Sequence, residues 1–298
     1  MPEDETPNLI ELFEKKMAAL SKNIEVLVSS ARNCQMLRNL RIQHFVTLGK
    51  CRSVELGRKR MIKYYQLYSS SMGRNLDPVM EEFKDFLISA KSALDSLAQE
   101  INIVFCIKEP KATFNLKSFV EKLQKEDAQF ASDITKFCEK DNWFTYFLKL
   151  RNPSTHTGQI TPISYIELKM LRDMKVKAVF RKIEGEIQDV SEKDLVEKPL
   201  ATKDDCVRDV GIYLPDNPEE SDSSKTTCDR KIKFKDYHVD LSKRINFLFE
   251  KCYQKVDNEL DQMKNPISNK TCHKVKCIQR NCRLRLKFSP QTQTFRHR

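Results

Sequence analysis

Apolar residues recur every three or four positions over most of this chain, the period of a helix seen from one side. From Pro7 to about Leu37 they fall at Phe13, Met17, Leu20, Ile24, Leu27, Val28 and Ala31 with polar residues opposite, which predicts a packing helix. A second helical stretch over about 36–70 is far more basic. Arg38, Arg41, Lys50, Arg52, Arg58, Lys59, Arg60 and Lys63 are set there against Glu55 alone. These charges suit either a solvated helix face or a nucleic-acid-facing groove. Gly49 and Gly57 are the candidate positions for a break or kink.

Residues 71–75 read as a turn, and Asp77-Pro78 as a helix start, with Asp as N-cap and Pro at the first helical position. The helix is predicted to run to about Phe105. Its apolar positions Phe83, Leu87, Ala90, Leu94, Leu97, Ile101 and Val104 are spaced alternately by four and three, so it should lie against other helices along its whole length. Asp95 and Asn102 stand beside that stripe as polar residues at its boundary. Two short helices are predicted at about 115–125 and 129–140. Asp141 is placed to cap the next one, which carries Trp143, Phe144, Tyr146, Phe147 and Leu150. Aromatic side chains crowded onto so short a helix have to be buried, in the core or in a partner's groove.

Beyond Gly158 the period shortens to two. Residues 160–163 and 176–183 show β-branched alternation, and 210–214 suit a further short strand. Residues 216–227 are acidic and rich in Pro and Ser, as in a loop. A last long helix over about 239–263 puts Leu241, Ile245, Leu248, Phe249, Cys252 and Val256 on one face, which returns the chain to the bundle.

Composition agrees with this pattern. Six glycines and eleven prolines in 298 residues, with 32% charged residues, favour helices joined by short turns over a sandwich or barrel. The expected fold is mainly α: an antiparallel helical bundle with a small β-containing insertion at about 160–235 and a basic C-terminal tail. Helices over 1–70 would pack on a helical domain over 71–263, followed by the tail over 264–298. The acidic start lacks the basic and apolar regions of a signal peptide, and no run of about 18 apolar residues is present. A cytoplasmic protein without a membrane partner is therefore expected, its ten cysteines reduced.

Charge changes the picture at one end. Of a net +11, ten charges fall between Gln262 and the C-terminus, where no Asp or Glu occurs. A basic tail on a nearly neutral body suits contact with a polyanion, and Lys274, Lys276, Arg280, Arg283, Arg285 and Lys287 are the candidate nucleic-acid contacts. No cofactor or metal is expected: there is no glycine-rich phosphate loop and no His-Glu-x-x-His. Cys272, His273, Cys277 and Cys282 are poorly spaced for zinc, since adjacent ligands rarely reach one ion.

The stretch that gathers the candidate chemistry is Arg151-Asn152-Pro153-Ser154-Thr155-His156-Thr157-Gly158, where a permanently charged guanidinium precedes a titratable imidazole at the end of the aromatic helix. Spacing alone is weak support, because Arg38 and His44 form a second such pair. Context distinguishes them. With the preceding helix through Ser92-Ala93-Leu94-Asp95-Ser96-Leu97-Ala98 and the closing helix, Arg151-Asn152 and His156 resemble the HEPN superfamily of helical-bundle domains over roughly residues 77–263. That resemblance implies a HEPN-like bundle and a metal-independent endoribonuclease acting as a homodimer, in a defence or toxin setting with a possible antitoxin partner. Arg151, Asn152 and His156 would be its catalytic residues, with Asp95 orienting Arg151 or His156. The other implied role is a non-enzymatic RNA-binding or scaffold protein. The chemistry is coherent, since cleaving RNA by its own 2′-hydroxyl needs a base, an acid and positive charge on the phosphate. Pro153 raises a geometric question, because it either bends the motif or opens a fresh turn from Asn152.

Overall fold

The computed structural model describes residues 9–30, 35–71, 75–156, 163–169, 175–183, 186–189, 207–215 and 232–264. The fold is mainly α, with seven α-helices among the described residues: α1 (Leu9–Ser30), α2 (Gln35–Ser70), α3 (Asp77–Val104), α4 (Lys117–Glu126), α5 (Ala128–Glu139), α6 (Trp143–His156) and α7 (Phe234–Lys264).

The centre of the bundle is α3. Every apolar position predicted for its stripe, from Phe83 to Val104, is at most 1% exposed. Side chains are buried on most of its circumference, because α2, α6 and α7 all pack on it. Pairings across the bundle fix the directions. Ser21 meets His44 and Glu25 meets Arg41, so α1 and α2 are antiparallel. Arg60 meets Glu82 and His44 meets Glu100, so α2 and α3 are antiparallel too. The closing helix runs antiparallel to α2. Phe234 packs on Phe83 and Tyr65 near one end of the bundle, and Tyr253 packs on His44 near the other, so α7 runs parallel to α3. The intervening α4–α6 and sheet carry the chain back before it starts.

Glycine does not break α2, which is continuous through Gly49 and Gly57. At Gly57 an added Cβ would stand 3.4 Å from Phe86 Cα, an ordinary van der Waals distance, so α2 and α3 leave room there for a methyl group and little more. Two expected caps are also corrected. The N-cap of α3 is Leu76, which places Asp77 inside the first turn, where its charge still favours the helix dipole. Asp141 lies in a one-turn 3-10 helix (Lys140–Asn142) with φ 56°, and its carboxylate reaches Arg244 Nη2 at 3.3 Å. A cap the pattern did not suggest is Asp127, which accepts from Phe130 N to start α5.

Between α6 and α7 the described strands are β1 (Ile163–Lys169), β2 (Lys175–Ile183), β3 (Glu186–Asp189), β4 (Val207–Leu214) and β5 (Ile232–Lys233). They form one antiparallel sheet of order β3-β2-β1-β4-β5. Its attachment to the bundle is β4, where Ile212, Tyr213 and Leu214 are at most 2% exposed and Tyr68 Oη donates to Gly211 O at 3.4 Å. No helix among the described residues is long and apolar enough to cross a membrane.

Candidate functional site

The expected chemistry sits on α6, and its placement follows from the aromatic residues before it. Trp143, Phe144, Phe147 and Leu150 are all buried. Trp143 Nε1 donates to Phe137 O at 2.8 Å, which ties the start of α6 to α5. Tyr146 Oη donates to Pro215 O at 2.8 Å and packs edge-on against Tyr237, which ties the middle of α6 to the end of β4 and to α7. Polar tips on buried rings need such partners, so these two bonds fix the helix in rotation as well as position.

Beyond this anchored part, α6 stays helical through Pro153 as far as His156. The geometric question raised by Pro153 is therefore answered in part: the helix continues through it, and no separate helix starts at Asn152. At about 100° per residue, positions 152 and 156 lie about 40° apart around the axis, and positions 151 and 156 about 140° apart. Asn152 is exposed and shares a helix face with position 156, while Arg151 is half-buried on another side. Arg151 Nη1 donates to Asn152 Oδ1 at 3.5 Å, a long contact that spans the two faces. A guanidinium side chain is long enough to come round the helix to a group bound on the Asn152 face, and its charge is fixed. The side chain of His156 lies outside the described residues.

Asp95 is placed differently from the orienting role that the resemblance implies. Its carboxylate accepts hydrogen bonds from Lys91 Nζ, one turn earlier on α3, and from Thr113 Oγ1 in the segment after α3. Thr113 Oγ1 in turn receives Lys91 Nζ at 3.0 Å and lies 2.6 Å from Asn115 Oδ1. Asp95 thus closes a polar knot of Lys91, Thr113 and Asn115, and not a bond to Arg151. The reason is local: an ammonium at i−4 is the nearest cation a helix can offer a carboxylate. Lys91 could have been paired with Asp95 by its helical spacing, whereas Thr113, 18 residues on, carried no signal that linked it to Asp95. Asn102 has a comparable structural task, with Nδ2 donating to Glu109 O and Oδ1 accepting from Glu109 N, both at 2.9 Å.

The competing pair, Arg38 and His44, separates into a surface residue and a core residue. Arg38 is exposed, whereas His44 is 2% exposed. His44 Nδ1 lies 3.2 Å from Glu100 Oε2, and Nε2 lies 2.9 Å from Ser21 Oγ. Tyr253 stands edge-on to the imidazole, with its phenol pushed up by burial and by the Glu100 carboxylate. His44 is therefore a structural link between α1, α2 and α3.

The tail residues Lys274, Lys276, Arg280, Arg283, Arg285 and Lys287, and the cluster from Cys272 to Cys282, lie outside the described residues. Among the described residues, Cys51, Cys138 and Cys252 are buried free thiols; burial pushes all three up, Cys138 to about 12. Thiols so far from ionising are poor nucleophiles and poor metal ligands. No group of three His, Cys, Asp or Glu able to hold a metal occurs among the described residues. Comparison with protein-family models, curated proteins and solved structures finds no match to this chain.

Proposed function

We propose that this chain acts on RNA as a metal-independent endoribonuclease of HEPN type, with Arg151, Asn152 and His156 as its catalytic residues. The observation that carries this reading is the continuity of α6 through Pro153, which keeps Asn152 and His156 on one face of a helix. The aromatic anchors give that helix the rigidity a positioned catalytic group requires. On this reading His156 takes the proton of the ribose 2′-hydroxyl or supplies one to the leaving 5′-oxygen. Arg151 holds charge against the crowded phosphate, and the amide of Asn152 orients it. One histidine cannot perform both proton transfers at once, so two copies of the chain would supply base and acid from opposed α6 helices. An antitoxin that covers this face would be the natural regulator of such an activity. Asp95 has no place in the proposal, because it is held by Lys91 and Thr113.

A second reading, RNA binding without cleavage, draws on the same commitment of Asp95, which leaves the motif without the carboxylate that the resemblance implied. The two readings separate in one assay. Wild type, Arg151→Ala, Asn152→Ala and His156→Ala are incubated with RNA in EDTA, and both binding and products are followed. The enzyme reading expects products ending in a cyclic phosphate, reduced at least about 100-fold in the Arg151 and His156 variants. Intact RNA that remains bound to wild type would leave only the binding reading.

A further inference from the structure

The outer face of α2 has a composition that a free surface does not need. Ile42, Phe45, Gly49, Arg52 and Leu56 follow one another at alternating steps of three and four, and Lys59 and Lys63 continue the same line. That spacing is the seam of a coiled coil. Elsewhere on the helix it would face a neighbour within the fold, but here it faces outwards. Ile42 is 64% exposed, Phe45 54% and Leu56 57%. In the middle of the line, nothing lies within 4 Å of where a side chain at Gly49 would begin, so the surface between Phe45 and Arg52 is open to solvent.

The charges on this face are as one-sided as its apolar residues are exposed. The single acid of α2, Glu55, points inwards to Arg58 and is 0% exposed. Cations at the flanks are already neutralised, Arg41 by Glu25 at 2.6 Å and Arg60 by Glu82 at 2.7 Å. On the line itself Arg52 and Lys63 form no ion pair among the described residues, and Lys59 reaches Glu55 only at 3.6 Å.

We infer that this face of α2 is a docking seam for an acidic amphipathic helix of a partner protein. Apolar residues of the partner would cover Ile42, Phe45 and Leu56, with one of them lying over Gly49. Its carboxylates would meet Arg52, Lys59 and Lys63. Other occupants fit less well. A second copy of the chain would offer Arg52, Lys59 and Lys63 no carboxylate from its own α2, whose single acid, Glu55, is buried. A lipid-inserting face carries its cations at the edges, whereas here they stand on the apolar line. Phosphates of a nucleic acid would leave the Ile42, Phe45 and Leu56 side chains in water. The inference stands apart from the RNA reading, since it uses none of the α6 residues.

The test uses the full chain and a designed helical peptide of about four heptads, with Leu along one seam and Glu beside it. A twin peptide with Lys in place of Glu, phosphatidylserine vesicles and a single-stranded RNA serve as the other probes. Wild type is expected to bind the Glu peptide at least tenfold more tightly than the Lys peptide, as read by fluorescence anisotropy. Phe45→Glu should weaken that binding at least tenfold, with the circular dichroism spectrum unchanged. The double variant Arg52→Glu/Lys63→Glu should reverse the preference towards the Lys peptide. Equal binding of both peptides would overturn the inference. So would vesicle or RNA binding that Phe45→Glu abolishes, or a wild-type dimer that Phe45→Glu turns into a monomer on gel filtration.

Discussion

Glu100 on α3 is 0% exposed, and its Oε2 meets His44 Nδ1 while Oε1 has no hydrogen-bond partner. With Nδ1 donating to Glu100, Nε2 can accept from the Ser21 hydroxyl, so a single ring joins three helices. Removing one member of such a pair leaves the other buried and uncompensated. His44→Leu is therefore expected to destabilise the protein by about 3–5 kcal/mol in urea denaturation. Glu100→Gln, which removes the charge and keeps a hydrogen-bond acceptor, should cost less. An equal loss in both would mean that packing, and not the buried pair, sets the cost.

Cys138 makes a prediction in pH. Burial raises its thiol to about 12 in the folded state, against 9.0 for the ordinary group. Below pH 9 the thiol is protonated whether the chain is folded or not, and its burial costs no stability. Between pH 9 and 12 the unfolded chain releases that proton and the folded chain keeps it, so stability falls as pH rises. The buried phenols of Tyr237 and Tyr253 are pushed up as well and act in the same direction. Urea midpoints measured from pH 8 to 11 should decline for wild type and decline less for Cys138→Ser. Parallel curves would show that Cys138 does not titrate differently in the two states.

At the scale of elements, α2 meets α3 closely at Gly57. A leucine there would be driven into the Phe86 backbone, which cannot yield as a side-chain tip can. Gly57→Leu is expected to destabilise by about 1–3 kcal/mol or more, despite the better helix propensity of leucine. A neutral or stabilising result would place the two helices further apart than described. The long helices were legible because a stripe repeated over many turns outweighs any single residue, as on α3 and α7. Helix ends were less so. Asp77 and Asp141 suit caps by residue type, but Leu76 precedes the first turn and Arg244 claims Asp141 from a distant helix. The sheet was seen in outline at β2 and β4, while β3, four residues of mixed polarity, offers too little alternation to stand out.

The candidate site was legible to the same extent. The aromatic anchors of α6 could be found because their pattern is local, and the Arg38 pair, set aside by context, is further separated by the burial of His44. The bond from Thr113 to Asp95 was not legible, because Thr113 stands 18 residues away in a segment with no periodic pattern. The outward direction of the α2 seam was hidden for the same reason, since sequence spacing shows a stripe without showing which side of the fold it faces.

The whole molecule is a helical bundle centred on α3, with exposed residues on one side of α2 and at the end of α6. On α6 the bundle presents Asn152, and on α2 it presents a basic and apolar seam. The claim that matters most is the chemistry assigned to α6, which depends on the substrate's own 2′-hydroxyl and on His156. The direct measurement compares a defined RNA with its fully 2′-O-methylated counterpart in EDTA, with wild type and His156→Ala each at equal concentration. The account predicts that wild type cleaves the RNA and spares the methylated strand, and that His156→Ala cleaves neither. Cleavage of the methylated strand, or undiminished cleavage by His156→Ala, would contradict it.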